Sequence, residues 1–199
     1  MRTRIHGRRR RDEQPRWWWI SPQGATSAPW VVDNLVMDAQ RYVGVVGPAE
    51  ATAEQRRIAR QVGGLLAARR AVVVTGGLGG VMAAASRGAA EAGGTTLGLL
   101  PGDDRAEANP YLTVSIPTGL GEMRNALLVR TCEALIAVGG SWGTLSEIAL
   151  AVRTGVPVIS IGGWPLPAAG VLAVTSAGDA VEAIHDLLWR RDPTAGWTG

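Results

Sequence analysis

The chain reads as an α/β protein: a three-layer, Rossmann-like, doubly wound and mostly parallel sheet with helices on both faces. Three observations lead there. Short, continuously apolar, β-branched runs alternate with segments of helical period, the pattern of strands covered on both sides. Two of these runs end in glycine-rich turns that open into helices. Val72-Val73-Val74-Thr75 leads into Gly76-Gly77-Leu78-Gly79-Gly80, and Leu135-Ile136-Ala137-Val138 into Gly139-Gly140-Ser141-Trp142-Gly143-Thr144. The length of 199 residues suits one such domain with a substantial core.

The regular pattern starts near Arg41. Tyr42-Val43-Gly44-Val45-Val46 reads as a buried strand ending at Gly47-Pro48. Ala53 to Arg69 reads as an amphipathic helix, with Ile58, Val62, Leu65 and Leu66 on one face and Arg56, Arg57 and Arg60 elsewhere. After the strand Val72 to Thr75, the first glycine turn opens a small-residue helix from Val81 to Ala92 whose alanines and Gly88 permit close packing. Thr95 to Leu100 is the next strand, then a polar loop from Asp103 to Pro110, a short strand from Leu112 to Ile116, and a helix from Gly121 to Thr131. Leu135 to Val138 is a strand, Gly143 to Arg153 a helix closed by Thr154-Gly155, and Val156 to Ile161 a strand. Val171 to Val174 is the last strand and Gly178 to Trp189 the closing helix. Residues 1–40 stand apart as a basic, tryptophan-rich extension, residues 41–190 form the regular domain, and residues 191–199 are a tail.

Composition narrows the function classes. All twenty basic residues are arginine, which excludes Schiff-base chemistry and a lysine-based phosphate loop. Residues 1–16 hold seven arginines against Asp12 and Glu13, a net of +5; the whole chain carries +3, so residues 17–199 carry −2. The body is mildly acidic, which speaks against nucleic acid as its partner; the arginine run suits either a solvated end, the commoner case, or a hold on polyanions by counterion release. Docking on the body, contact with a partner subunit and a stacking platform are all compatible with Trp17-Trp18-Trp19. No stretch reaches the roughly 18–20 apolar residues of a membrane span, and neither a sustained apolar region nor a small-residue cleavage site follows the arginines, as a twin-arginine export signal requires. The single cysteine, Cys132, excludes an intrachain disulfide, reads as a small buried hydrophobe, and fits a reducing, cytoplasmic setting. No His, Cys or carboxylate spacing suggests a metal site, and no resident cofactor is expected.

A strand that turns through glycines into a helix leaves N–H groups free at a positive dipole end, which suits a phosphate. Two such turns suggest one ligand held from two sides. Gly77, Gly79, Gly80, Gly140, Ser141, Gly143 and Thr144 are the candidate phosphate-binding residues, through backbone N–H groups and the two hydroxyls. Glu147, one helical turn past Thr144, points back toward the ligand. Arg124 near a helix start is disfavoured by the dipole, which calls for a partner: a phosphate or Glu147. Asn125 is a candidate for a ribose hydroxyl or base edge, and Met82 for a base or the core. Asn109, Tyr111 and Thr118 follow strand ends at the cleft rim, while Trp142 inside the second glycine turn fits stacking on a ligand or a neighbouring subunit.

These motifs carry a resemblance. Thr75-Gly76-Gly77-Leu78-Gly79-Gly80-Val81-Met82, Arg124-Asn125 and Gly139-Gly140-Ser141-Trp142-Gly143-Thr144-Leu145-Ser146-Glu147 resemble, in order, the LOG-like (SLOG) Rossmann-related nucleotide-binding family, once called lysine decarboxylase-like. The similarity spans roughly Arg41 to Leu188. The family includes cytokinin riboside 5′-monophosphate phosphoribohydrolases and molybdenum-cofactor carrier proteins. Its hydrolases carry Pro-Gly-Gly-x-Gly-Thr-x-x-Glu and an Arg-Lys pair. Here Gly143, Thr144, Glu147 and Arg124 match, whereas Gly139 replaces the proline, Ser141 the second glycine and Asn125 the lysine. That pattern resembles the branch near the cofactor carriers. The resemblance implies a small phosphorylated ligand, of nucleoside monophosphate or pterin type, and a homo-oligomer. It implies either hydrolysis of a nucleoside 5′-monophosphate to base and ribose 5-phosphate, with Glu147 and Arg124 catalytic, or carriage of the ligand without turnover.

Overall fold

The computed structural model describes residues 40–166 and 170–190, so the extension with Trp17–Trp19 and the tail at 191–199 lie outside the described residues. The strands are β1 (Tyr42–Val46), β2 (Val72–Thr75), β3 (Thr96–Leu100), β4 (Val114–Pro117), β5 (Ala134–Val138), β6 (Val158–Ile161) and β7 (Val171–Val174). The helices are α1 (Ala53–Ala68), α2 (Gly80–Glu91), α3 (Arg124–Thr131), α4 (Trp142–Thr154) and α5 (Ala177–His185). The strands form one sheet in the order β4-β3-β2-β1-β5-β6-β7, parallel at every pairing.

Alternation along each strand builds two cores. Val43, Val45, Val73, Ile136 and Ile159 pack toward α1, α2 and α5. Val46, Val74, Leu135, Ala137 and Val158 pack toward α3 and α4. The chain steps from β1 outward to β4, then returns to lay β5 on the other side of β1. Right-handed crossovers running in opposite directions along a sheet place their helices on opposite faces. β1 and β5 therefore mark the switch point, and the turns beyond their carboxyl ends border the crevice where such sheets hold ligands.

Local signals fix the helices. Thr52 and Gln55 form a capping box at the start of α1. Ser141 caps α4, which ends at left-handed Gly155 (φ 77°). α1 and α2 lie so close that a Cβ at Gly63 would meet the Ala85 carbonyl and one at Gly88 the Arg60 carbonyl.

Besides β6, which begins at Val158 rather than Val156, three elements depart from the sequence expectation for a visible local reason. The helix expected from Gly121 opens as a 3₁₀ turn over Gly121–Met123 before α3, because Gly121 is left-handed (φ 55°) and no side chain caps the start. Strand β4 begins at Val114 rather than Leu112, because Thr113 and Thr96 exchange side-chain bonds with each other's backbone N–H (3.1 and 2.7 Å) in place of a ladder. The closing helix is α to His185 and continues as a π turn over Asp186–Arg190, where His185 stacks on Trp189 at 5.5 Å.

Candidate functional site

The first residue of α3 is Arg124, and the sheet hides it: 7% of it is exposed. Its guanidinium packs over Gly76 at the start of the first glycine turn, where any Cβ would collide with it. On the other side lies Glu147 of α4, also 7% exposed, with Nη1 to Oε1 at 3.7 Å. That distance is an ion pair but not a hydrogen bond. Nε and Nη1 of Arg124 are buried without a hydrogen-bond partner. Burial raises the Glu147 carboxyl to about 7 against the pull of Arg124. Burial also lowers Arg124, which Glu147 opposes. Both groups are thus shifted toward neutrality, as expected where desolvation exceeds a loose mutual attraction. A guanidinium keeps its proton at neutral pH all the same.

The second turn is organised around a cap. Ser141 Oγ accepts from the Thr144 N–H (3.2 Å), and the two hydroxyl oxygens lie 2.8 Å apart. The hydroxyls that the sequence offers to a ligand thus bond each other, and Thr144 is 1% exposed. The N–H groups of Trp142 and Gly143, one residue nearer the helix start, have no partner within α4. A Cβ at Gly143 would meet only Ser141 Oγ, at 3.9 Å, so this corner is open. Gly139 (φ 72°) abuts the Gln55 side chain of α1, and the ring of Trp164 lies 3.3 Å from where a Gly140 Cβ would be. Trp142 and Trp164 meet edge to face, centroids 5.1 Å apart.

The first turn leaves its helix without a side-chain cap: Gly79 is the N-cap of α2. Gly77 (φ 78°) donates its N–H to Thr75 Oγ1 (3.2 Å). Gly80 (φ 60°) sits against the Pro48 and Ala49 carbonyls, and Pro48 accepts from Val81 N–H (3.1 Å). Asn109 Nδ2 donates to the carbonyls of Gly77 (3.0 Å) and Leu78 (3.1 Å), so this rim residue holds the loop from behind. Met82 is buried. Thr118 braces the chain onto β3, its hydroxyl donating to the Leu100 carbonyl (2.7 Å), and Asn125 Nδ2 ties α3 to α4 through Ser146 Oγ (2.9 Å).

Arg124 therefore joins the two glycine turns: it touches Gly76 of one and Glu147 on the helix of the other. The sequence reading ends the first strand at Gly47-Pro48 but gives that turn no part in the site, whereas Pro48 and Ala49 brace Gly80. A Gly-Pro pair directly after a central strand is the signal that would have assigned it one. Cys132, at the end of α3, is buried, and burial pushes its thiol up, so it packs and does not react. Among the described residues, no helix is long and apolar enough to cross a membrane.

Comparison with known proteins agrees with this fold. A molybdenum cofactor binding protein from Rippkaea orientalis is 34% identical, with a TM-score of 0.72 over 75% of this chain and 98% of that one. The molybdenum cofactor carrier protein of Chlamydomonas reinhardtii is 35% identical, with a TM-score of 0.70 over 75% and 98%. An uncharacterized protein from Archaeoglobus fulgidus is 42% identical over 119 residues, 60% of this chain and 78% of that one. The sequence model of the SLOG cluster4 family matches residues 40–184, and the chain belongs to that family.

Proposed function

We propose that this protein binds a small phosphorylated ligand between its two glycine turns and carries it without turnover, the cargo being of the molybdenum-cofactor type. The observation that carries this reading is the buried Arg124 guanidinium with two nitrogens unbonded. A buried donor left without a partner is costly, more so when charged, and an anionic oxygen arriving beside Gly76 and the start of α4 would satisfy it. The first-turn N–H groups that are not already bonded, those other than Val81 of α2 and Thr144 of α4, would supply neutral donors to the same anion. The names of two similar proteins, one binding and one carrying a molybdenum cofactor, support this choice of cargo. Glycine at 139 and asparagine at 125, departures from the hydrolase pattern, support it as well. Calorimetric titration with AMP and with neopterin monophosphate tests it. Saturable binding that Arg124→Gln weakens at least ten-fold is expected; no heat from either ligand in the wild type would refute it.

A second reading has its own support. Glu147, raised to about 7 by burial beside Arg124, suits general acid–base work or stabilisation of an oxocarbenium ion. Water would add to the anomeric carbon as the base departs with a proton, leaving ribose 5-phosphate. Release of free base from AMP, abolished by Glu147→Gln in a folded protein, would establish it. Intact AMP after long incubation would eliminate it.

The homo-oligomer is proposed on an apolar strip. Val114 and Ile116 pair in register with Leu97 and Leu99, which pack in the core on the α3 side, so all four side chains face that way. Val114 (46% exposed), Ile116 (42%), Leu120 (47%), Met123 (78%) and Leu127 (41%) are exposed. Exposed apolar surface of this kind marks contact sites.

A further inference from the structure

We infer that Trp142 and Trp164 form the platform on which the flat ring of the phosphorylated ligand stacks. The inference rests on the proposed function, since it needs an anion at the amino end of α4. The structure places two tryptophans at that end that neither core uses. Trp142 is 78% exposed although it opens α4, and Trp164, from the turn after β6, is 41% exposed. The Trp164 ring lies over Gly140, which has no side chain to push it away, and the Trp142 and Trp164 rings are inclined at 68° to each other. The two rings thus make a corner in which most of the Trp142 ring stays open to solvent.

The corner adjoins the anion seat in the chain itself. Trp142 and Gly143 carry first-turn N–H groups without an intrahelical partner, and Arg124, buried with no hydrogen bond at Nε or Nη1, meets α4 at its ion pair with Glu147. A single ligand with a phosphate on the axis of α4 and a planar heteroaromatic group beside it would satisfy both features. Tryptophan offers a large π face, and a ring stacked on it needs no particular hydrogen-bond pattern, so the platform suits a pterin or a purine. The remaining occupants, residues 1–39 or a second copy of this chain, leave the phosphate seat unexplained.

A consequence concerns turnover. At about 100° per residue, Trp142 and Glu147 project about 140° apart around α4. A ring held on Trp142 is turned away from the Glu147 carboxyl, which fits carriage of the ligand better than cleavage of the bond to its ring.

The test compares ligands with and without a ring. AMP, neopterin monophosphate and ribose 5-phosphate are titrated into the full chain and into Trp142→Ala and Trp164→Ala. In the wild type the two ring-bearing ligands are expected to bind tighter than ribose 5-phosphate. Trp142→Ala is expected to weaken them roughly ten-fold, the stacking contribution of one aromatic ring, and to leave ribose 5-phosphate unchanged. Equal affinity of Trp142→Ala and wild type for both ring-bearing ligands overturns the inference, as does an equal loss for all three. A Trp142→Ala protein with wild-type affinities but lower mass in solution assigns the corner to a second copy instead. Binding of ribose 5-phosphate with no advantage for a ring sinks the platform and spares the phosphate seat, whereas binding of none of the three sinks both.

Discussion

Arg124 and Glu147 show how far burial alone can bias two side chains. Arg124→Gln removes the guanidinium charge beside Gly76 that an incoming anion would meet in the proposed seat. Arg124→Lys keeps the charge and loses the planar fork, so it is expected to recover part of the affinity only; phosphate-competition calorimetry checks both. Glu147 makes a separate statement about pH. Its folded value of about 7 lies above its ordinary 4.5. Between those pH values the folded chain keeps a proton that the unfolded chain has released, so stability falls as pH rises through that window. The loss is about 3 kcal/mol, nearly complete above pH 8. Glu147→Gln has no such proton. Denaturant melts at pH 5 and pH 8 are expected to differ less for Glu147→Gln than for wild type; an equal slope would mean the carboxyl is ionised throughout. The pairing of these two residues was legible from Arg124's awkward place at a helix start and from the spacing of Glu147 behind the glycine turn. Their depth was not, because α3 begins only after the 3₁₀ turn over Gly121–Met123, and nothing in that string reports which way the next residue faces.

At the level of elements, the glycine turns are scaffolded as much by neighbours as by their own residues. Asn109 bonds the Gly77 and Leu78 carbonyls. Truncating it to alanine is expected to cost about 1–3 kcal/mol and to weaken ligand binding by freeing the first turn, measured by urea denaturation and calorimetry side by side. Gly76→Ala sets a Cβ against the Arg124 guanidinium. That clash is expected to displace the side chain and weaken anion binding while the sheet stays intact; unchanged affinity would remove Arg124 from the seat. Both turns were legible because apolar runs ending in glycines are strong punctuation. The use of Ser141 and Thr144 was not, since a hydroxyl after a strand is equally a phosphate ligand and a helix cap, and here the cap takes it. Nor was the meeting of Trp142 with Trp164, which depends on β5 and β6 being neighbours in the sheet.

For the whole molecule, the controlling feature is the reversal of strand order at β1 and β5, which sets the turns after β1, β2 and β5 side by side. The alternation of runs predicts the layers and a mostly parallel sheet; that β4 and β7 also pair in parallel, with no α-helix among the described residues between them and the strand before, is what the structure adds. Strand order itself was not legible, because the same alternation fits other doubly wound orders. The α1–α2 contact keeps two of these turns in place. Gly88→Val meets the Arg60 carbonyl and is expected to cost about 3 kcal/mol or more, seen as a lower denaturation midpoint. On the function proposed above, the amino ends of α2 and α4 share one anion with Arg124. Amide chemical shifts followed during an AMP titration test it most directly. The account expects Gly79 and Gly80 to move together with Gly143 and Thr144 along one binding curve, and that curve to vanish in Arg124→Gln. Movement at one turn alone, or at the two turns with different affinities, would contradict it.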